Sequence, residues 1–397
     1  MYTREETILR MNALGRAERP FFFVISHDLE HNLLFELPET GHERMAAFSL
    51  PLGGMGEQGN WPPLPERLRF IPSPCSMARY AASFASVRNH LMRGDSYLLN
   101  LCVATPVETN LTLRHLFRFA RAPYRMLLGP DARVPGVHGR GCVCFSPEPF
   151  VTVRGRSIST FPMKGTAPAA TQEACDWLET DEKENRESAT IVDLMRNDLS
   201  MVAADVQVRR YRYISPVETR GRTILQCSSE ISGRLPEDWR SRLGEILLKL
   251  LPAGSVTGAP KEATCRAIAE AEDMERGFYT GIFGFFNGRD LDSAVAIRFM
   301  EEDEKEMVYK SGGGITVMSH MEDEYREAIA KVYVPFDFLN RQMGGWRSLP
   351  APLAPAQGGS RHGPSRSGRL RRSRSGLRAV GLSGSGRPRH LQMPYHV

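Results

Sequence analysis

One lysine, one isolated glutamate and two pairs of glutamates are the side chains whose types and spacing could do chemistry. Lys164 lies in Phe161–Pro162–Met163–Lys164–Gly165–Thr166, with apolar residues before it and Gly–Thr after it. A lysine in a partly desolvated pocket can act as a neutral amine nucleophile; on residue type alone it could equally be a surface lysine. Glu148, in Ser146–Pro147–Glu148–Pro149, is the candidate acid. Glu184 and Glu187, and again Glu324 and Glu327, stand three residues apart, which puts both carboxylates of a pair on one helix face. Like charges so placed repel unless something positive lies between them. Oxygen donors without nearby Cys or His suit Mg²⁺, although each pair could instead be a solvated face in a chain that is 24% charged.

Two further segments could hold an anion. Pro252–Ala253–Gly254–Ser255–Val256–Thr257–Gly258–Ala259–Pro260–Lys261 places glycines, two hydroxyls and then a proline before a helix running to about Glu270, whose start offers unpaired N–H groups. Gly312–Gly313–Gly314 is costly in entropy unless the backbone must approach something closely, with a flexible turn as the plain alternative. Ala294, Ala296 and Arg298 share one face of a regular strand, so a guanidinium would emerge beside small side chains and could clamp a carboxylate.

The elements that must position these groups read as α+β. The N-terminal third gives mainly strand signals: Phe21–Ile25 pairs with Asn32–Phe35, and Tyr97–Val103 follows the turn-like Gly94–Asp95. Cys142–Phe145 and Phe150–Val153 flank Ser146–Pro149, and Arg154–Gly155 reads as a hairpin turn before Ser157–Phe161. Helices are expected from Glu184 to about Leu199, over Pro236–Leu251, and from Glu322 to about Val332. Gly277–Phe286, Leu291–Met300 and Met307–Lys310 read as an antiparallel meander joined by Asn287–Gly288 and Glu301–Lys305. The connections are antiparallel, which argues against a dinucleotide-binding sheet.

Composition narrows the classes further. The chain has 397 residues and a formal net charge of +5, but eleven arginines and no Asp, Glu or Lys follow Asp337. The rest carries 40 basic against 46 acidic groups, a formal −6. Residues 341–397 are Arg, Gly, Pro and Ser with isolated Leu, have no period to bury and are expected to be disordered; 1–340 is expected to be one catalytic domain. Phosphate could attract the tail, but no interleaved aromatics offer stacking platforms, which argues against nucleic acid. The longest markedly apolar runs fall far short of a membrane helix. Seven thinly scattered cysteines and an N-terminus that lacks the order of a secretory signal point to the cytoplasm.

Taken together, the motifs resemble those of the chorismate-utilising enzymes. Phe145–Ser–Pro–Glu–Pro–Phe150, Pro162–Met–Lys–Gly–Thr166, Ile191–Val–Asp–Leu–Met–Arg–Asn–Asp198, Gly254–Ser–Val–Thr–Gly–Ala–Pro–Lys261, Ala296–Ile–Arg298, Gly312–Gly–Gly–Ile315 and Glu324–Tyr–Arg–Glu327 stand in that family's order, and Gly94–Asp95–Ser96–Tyr97 and Asn100–Leu101 extend the likeness. Within the family the pattern is most similar to aminodeoxychorismate synthase component I, the large component of para-aminobenzoate synthase. The resemblance implies an α/β/β/α sandwich with a cleft that binds chorismate over Mg²⁺. It implies that Glu187 and Glu327 hold the metal, with Glu184 and Glu324 completing the acidic shell. It implies that Arg298 and Tyr279 engage the enolpyruvyl side, that Gly165, Thr166, Thr257, Gly258 and Gly313 line the site, and that Lys331 approaches the substrate carboxylate. Lys164 would add at C2, Glu148 would protonate the departing C4 hydroxyl, and ammonia would enter at C4, a step in 4-aminobenzoate and folate synthesis.

Lys164 also separates sister activities. Anthranilate synthases resemble the chain broadly but carry a small alanine there; isochorismate-type synthases use a lysine in the G-D segment, where this sequence has Leu98. Some positions depart from the family pattern. Gln226 stands where the family has histidine and cannot carry a proton at neutral pH. Phe299 replaces a threonine and Ala253 a glycine. The short N-terminal region leaves less room for the tryptophan pocket that many members contain. These departures motivate one further alternative, a degenerate relative that binds without turnover; retention of Glu148, Lys164 and both acidic pairs argues against it. With no cysteine nucleophile elbow in the sequence, ammonia is expected from a separate glutamine amidotransferase subunit.

Overall fold

The computed structural model describes residues 1–38, 45–56, 61–129, 141–168, 176, 178–219, 222–302 and 306–336. The expectations for 341–397 and for Asp303–Lys305 lie outside them. Two antiparallel sheets carry the fold. In spatial order the first is β11 (Met163–Pro168), β13 (Arg222–Arg234), β10 (Ser157–Thr160), β9 (Pro149–Arg154), β16 (Leu291–Val295), β15 (Ile282–Phe286), β1 (Phe21–Ile25) and β2 (Leu33–Glu36), with β12 (Ala204–Thr219) paired to β13. The second is β14 (Gly258–Ala259), β6 (Leu98–Thr109), β18 (Met307–Ile315), β17 (Phe299–Glu302), β8 (Gly141–Ser146), β7 (Tyr124–Leu128), β3 (Ala46–Leu50) and β4 (Gly53–Met55), with β5 (Phe70–Pro72) paired to β6.

The layers follow from strands that are apolar on both faces. In β1, Phe21, Phe23 and Ile25 join a core with Met11, Leu14, Ile191, Leu194, Leu243 and Leu247, whereas Phe22 and Val24 join Phe48, Met126, Cys144, Phe283 and Ala294 between the sheets. The first set comes from α1 (Arg4–Arg16), α4 (Glu182–Ser200) and α5 (Leu243–Leu250). On the outer face of the second sheet, Leu99, Leu101 and Ile315 pack on Tyr80, Phe84, Ala267, Ile268 and Ala328, from α2 (Met77–Arg93), α6 (Lys261–Ala271) and α7 (Met321–Ala330). Val143, Phe145 and Leu127 pack on Leu113, Leu116 and Phe117 of α3 (Leu113–Phe119). The result is helix, sheet, sheet, helix, the expected α/β/β/α sandwich. Among the described residues no helix is long and apolar enough to cross a membrane.

Three expectations are corrected. The N-terminal third is not mainly strand: α1 opens on a Thr3–Glu6 capping box and buries Thr7, Met11 and Leu14, and α2 buries Tyr80, Phe84, Val87 and Leu91, a spacing that was legible. Gly94 does form the expected turn, as the left-handed C-cap of α2 with φ 82°. Pro236–Leu251 is a 3₁₀ turn at Trp239–Arg242 followed by α5, not one helix. The meander is absent as well, because β15 and β16 belong to the first sheet while β17 and β18 belong to the second. The chain crosses between sheets at Ala296–Arg298, which a run of apolar residues buried in either sheet cannot reveal.

The inter-sheet space beside β1, β3 and β15 is filled by aromatics: Phe22 stacks on Phe48 with ring centroids 4.4 Å apart and planes 4° from parallel, and Phe285 lies 5.1 Å from Phe48. Phe22 is fully buried, so Phe22→Ala should cost about 3–5 kcal/mol of unfolding free energy. Denaturant titration of both proteins checks this; a loss below about 1 kcal/mol would mean that the stack does not hold the sheets.

Candidate active site

Lys164 owes its position to a bulge. The pairing of β11 with β13 shifts register between Met163 and Thr166, leaving Lys164 and Gly165 as the irregular pair, and Gly165 takes φ 84°, which glycine adopts without a Cβ penalty. The ammonium is thereby aimed at β18, where a Cβ built on Gly314 would lie 3.4 Å from Lys164 Nζ. Glu148 sits in the tight link between β8 and β9, where its N–H donates to Ser146 Oγ at 3.1 Å and its carbonyl accepts from Val295 N–H at 3.1 Å. Burial pushes the Glu148 carboxyl above the usual carboxylate range. A hydrogen bond with Ser255 and the charges of Lys164, Arg298 and Lys331 oppose that shift. Three cations from three separate segments therefore bear on one acid. Sequence reasoning placed Ser255 in an anion-holding loop but did not connect it with Glu148; only the folded chain brings the hydroxyl there.

The carboxylates of α7 converge on the other face of β18. A Cβ at Gly313 would stand 3.4 Å from Glu324 Oε2, 3.7 Å from Lys331 Nζ and 3.9 Å from Glu327 Oε1, so glycine keeps that cradle open. Lys331 Nζ lies 2.7 Å from Glu327 Oε1 and donates to the Gly312 carbonyl at 2.8 Å. Glu324 is 7% exposed, whereas Glu327, ion-paired with Lys331, is exposed. Glu187 is half-buried on α4 and, among the described residues, completes no three-residue acidic group with Glu324 and Glu327. The Glu184 side chain lies outside the described residues, so the structure tests two of the four expected carboxylates as a pair. The oxygen donors of that pair fit Mg²⁺.

Arg298 is placed differently from the sequence reading. β16 ends at Val295, so Arg298 stands at the crossing between sheets with φ 55°, a strained value for a non-glycine residue, and shares no strand face with Ala294 and Ala296. Both alanines are fully buried in the inter-sheet core and leave no room for a ligand. Arg298 Nε is buried without a hydrogen-bond partner, and its guanidinium carbon lies 5.4 Å from the Tyr333 ring centroid. Thr257 is 0% exposed with an unpartnered Oγ1, while its carbonyl accepts from Asn100 N–H at 2.9 Å. A buried donor left unpaired is expensive and marks a place where a ligand can pair with it. Gly258 follows at φ 122°, and a Cβ there would overlap the Leu98 carbonyl. Tyr279 is buried with its ring 6.0 Å from Phe299, and the charge of Arg298 acts on its hydroxyl. Thr166 pairs with Gln226 across β11 and β13; its side chain lies outside the described residues.

A cavity of about 450 Å³ opens beside these strands, lined by Pro147, Pro149 and Met163, the sequence neighbours of Glu148 and Lys164, and by Gln226. Neither Glu148 nor Lys164 lines it. The candidate site is instead the cluster around Gly313 and Gly314, with an amine, a buried carboxyl, an unpaired guanidinium nitrogen and two further carboxylates. That set can receive a small substrate bearing carboxylates, attack it with nitrogen and protonate a leaving oxygen.

The family model described as chorismate binding enzyme matches residues 35–337. An uncharacterized PabA-like protein of Haemophilus influenzae is 44% identical over 335 residues, covering 84% of this chain and 98% of that protein. Anthranilate synthase component 1 1 of Haloarcula marismortui is 32% identical, covering 75% of this chain and 61% of its own length. Aminodeoxychorismate synthase component 1 of Salmonella typhimurium is 30% identical, with 66% and 57% covered. This chain thus spans about three fifths of the two synthase components. A structure described as a 2,3-dihydroxybenzoate-specific isochorismate synthase, DhbC, from Bacillus anthracis shares the fold with a TM-score of 0.64 at 19% identity, over 86% of this chain and 88% of that one. With the family pattern running from residue 35 to residue 337, the chain belongs to the chorismate-binding enzymes.

Proposed function

We propose that this enzyme aminates chorismate at C4 to give 4-amino-4-deoxychorismate, with ammonia delivered by a separate glutamine amidotransferase subunit. The observation that carries the reading is the pairing of an amine with a buried carboxyl: Lys164 is aimed at the glycine strand, and its charge bears on Glu148, whose pKa is raised by burial. An anthranilate-type reaction, one of the activities named among the similar proteins, has no use for an amine nucleophile at that position.

In the proposed sequence Lys164 Nζ adds at C2 of the ring, the double bonds shift, and the C4 hydroxyl leaves as water with the proton of Glu148. Glu148 regains a proton shed by the lysine nitrogen. Ammonia then adds at C4, and its surplus proton goes with the lysine as it departs from C2. Arg298 and Tyr279 would hold the enolpyruvyl group, with Gly165, Thr166, Thr257, Gly258 and Gly313 lining the site. Lys331 would meet the ring carboxylate. Glu324 and Glu327, with Glu187 and Glu184 from α4, would hold Mg²⁺, which when bound neutralises the carboxylate and draws electron density toward it.

Lys164→Ala should remove most C4 amination while leaving chorismate binding within about threefold of wild type, and mass spectrometry of rapidly quenched wild type should find a substrate-derived adduct on the Lys164 peptide. Wild-type turnover in the alanine variant would sink the assignment. Product analysis with chorismate, Mg²⁺ and an ammonium salt distinguishes 4-amino-4-deoxychorismate from anthranilate and isochorismate.

Glu187→Gln and Glu327→Gln should each raise the half-saturating Mg²⁺ concentration by about tenfold or more, because each removes a charged oxygen ligand. Unchanged magnesium dependence in both variants would leave the carboxylates as structural charges. The raised pKa of Glu148 predicts a pH effect of defined sign. The acid must be protonated, so kcat/KM falls as pH rises through that pKa. The Ser255 hydrogen bond lowers it, so Ser255→Ala should move this alkaline limb to higher pH; a limb that stays put or moves down would remove Glu148 from the role of acid.

A further inference from the structure

A buried ion pair outside the reacting groups ties together three segments that form the cleft. Glu272 and Arg276 are side chains only 2% and 3% exposed, at the end of α6 and in the loop that follows it. All five guanidinium N–H groups of Arg276 are used. Nε donates to Glu272 Oε2 at 2.8 Å, and Nη2 to Glu272 Oε1 at 2.6 Å and the Asn100 carbonyl at 2.7 Å. Nη1 donates to the Val256 carbonyl at 3.0 Å and to Thr280 Oγ1 at 3.2 Å. Glu272 Oε1 also accepts from Cys102 N–H at 2.8 Å.

Each partner adjoins a site residue. Val256 lies between Ser255, which bonds Glu148, and Thr257, whose hydroxyl is unpartnered. Asn100 and Cys102 are the β6 partners of Gly314 and Gly312 on β18. Thr280 follows Tyr279 and is itself held at φ 62°, a strained value for a β-branched residue that persists only where its surroundings fix it. We infer that the Glu272–Arg276 pair is a positioning device, setting the placement of the Ser255–Gly258 loop, the glycine strand and Tyr279 for chorismate without touching the substrate. It goes beyond the proposed amination, resting on membership of the chorismate-binding family and on these contacts.

Lysine in place of Arg276 keeps the charge but has three donors on one nitrogen and no planar fork, so it cannot reach all five acceptors. In folded Arg276→Lys, chorismate Kd by calorimetry with Mg²⁺ present should weaken by about tenfold or more, the scale that small misplacements in a site produce. Leu14→Ala, on the buried face of α1 and outside this network, should lower the melting temperature while leaving Kd within about threefold of wild type. Should Arg276→Lys not fold, Glu272→Gln carries the same test, since it keeps the shape of the side chain and removes the charge that orients the guanidinium. A Kd within about threefold of wild type in the folded variant would overturn the inference and leave the pair as a contribution to stability alone. Because binding is read, the result does not depend on whether C4 amination is the reaction.

Discussion

A strand without side chains has to separate an amine from two carboxylates. Gly313 presents its bare Cα to Glu324, Glu327 and Lys331, and Gly314 presents its own to Lys164. A methyl at Gly313 would occupy the cradle where the carboxylates converge, while at Gly312 it would strike the Leu101 carbonyl and Cys102 Sγ. Flexible as three glycines are, they form regular strand here because β6 pairs with them from Leu99 to Cys102. The backbone entropy that glycine loses is offset by pairing and by the packing of Leu99, Leu101 and Ile315 under α2, α6 and α7. The function of the cleft thus depends on the second sheet being complete beside β18.

That constraint explains the investment in buried polar contacts nearby. Asp198 and Lys261 pair at 3.0 Å, and Lys261 Nζ also donates to the Leu250 carbonyl at 2.6 Å, fixing the loop from Leu251 to Pro260 at both ends. Arg276 holds the middle of the same loop through Val256. His27, packed against Thr280, is kept neutral with a pKa lowered to about 3, first by burial and then by the charge of Arg276. A loop that carries unpaired hydroxyls cannot rely on substrate for its shape, and these contacts supply it in advance.

The electrostatics of the cleft are arranged in the same spirit. Lys164, Arg298 and Lys331 surround Glu148, yet burial outweighs them and the carboxyl remains biased toward its protonated form. Lys331 is also bonded to Glu327 and to the Gly312 carbonyl, so its charge is fixed between the acidic pair and the glycine strand. Arg298, in the segment where the first sheet hands the chain to the second, and Thr280, whose N–H donates to the Ala296 carbonyl of that segment at 2.9 Å, are both strained.

Much of this was legible in the sequence, for a local reason. Short motifs such as Pro162–Thr166, Gly312–Ile315 and Glu324–Glu327 carry their chemistry within a few residues, so type and spacing pointed to Lys164 as a candidate nucleophile, to a close backbone approach at the glycines and to one acidic pair. The buried strands, α4, α6 and α7 also followed from periodicity and breakers. What periodicity could not tell was which sheet an apolar strand joins, since both faces of each sheet are covered and every strand reads alike. The break at Ala296–Arg298 was hidden in that uniformity, and with it the true setting of Arg298. The helices α1 and α2 carried a readable pattern that strand signals nearby obscured. Only the tertiary structure could join Ser255 to Glu148, or Arg276 to Val256, Asn100 and Thr280, because these contacts cross long stretches of chain and rest on donor counts and burial that no local spacing encodes.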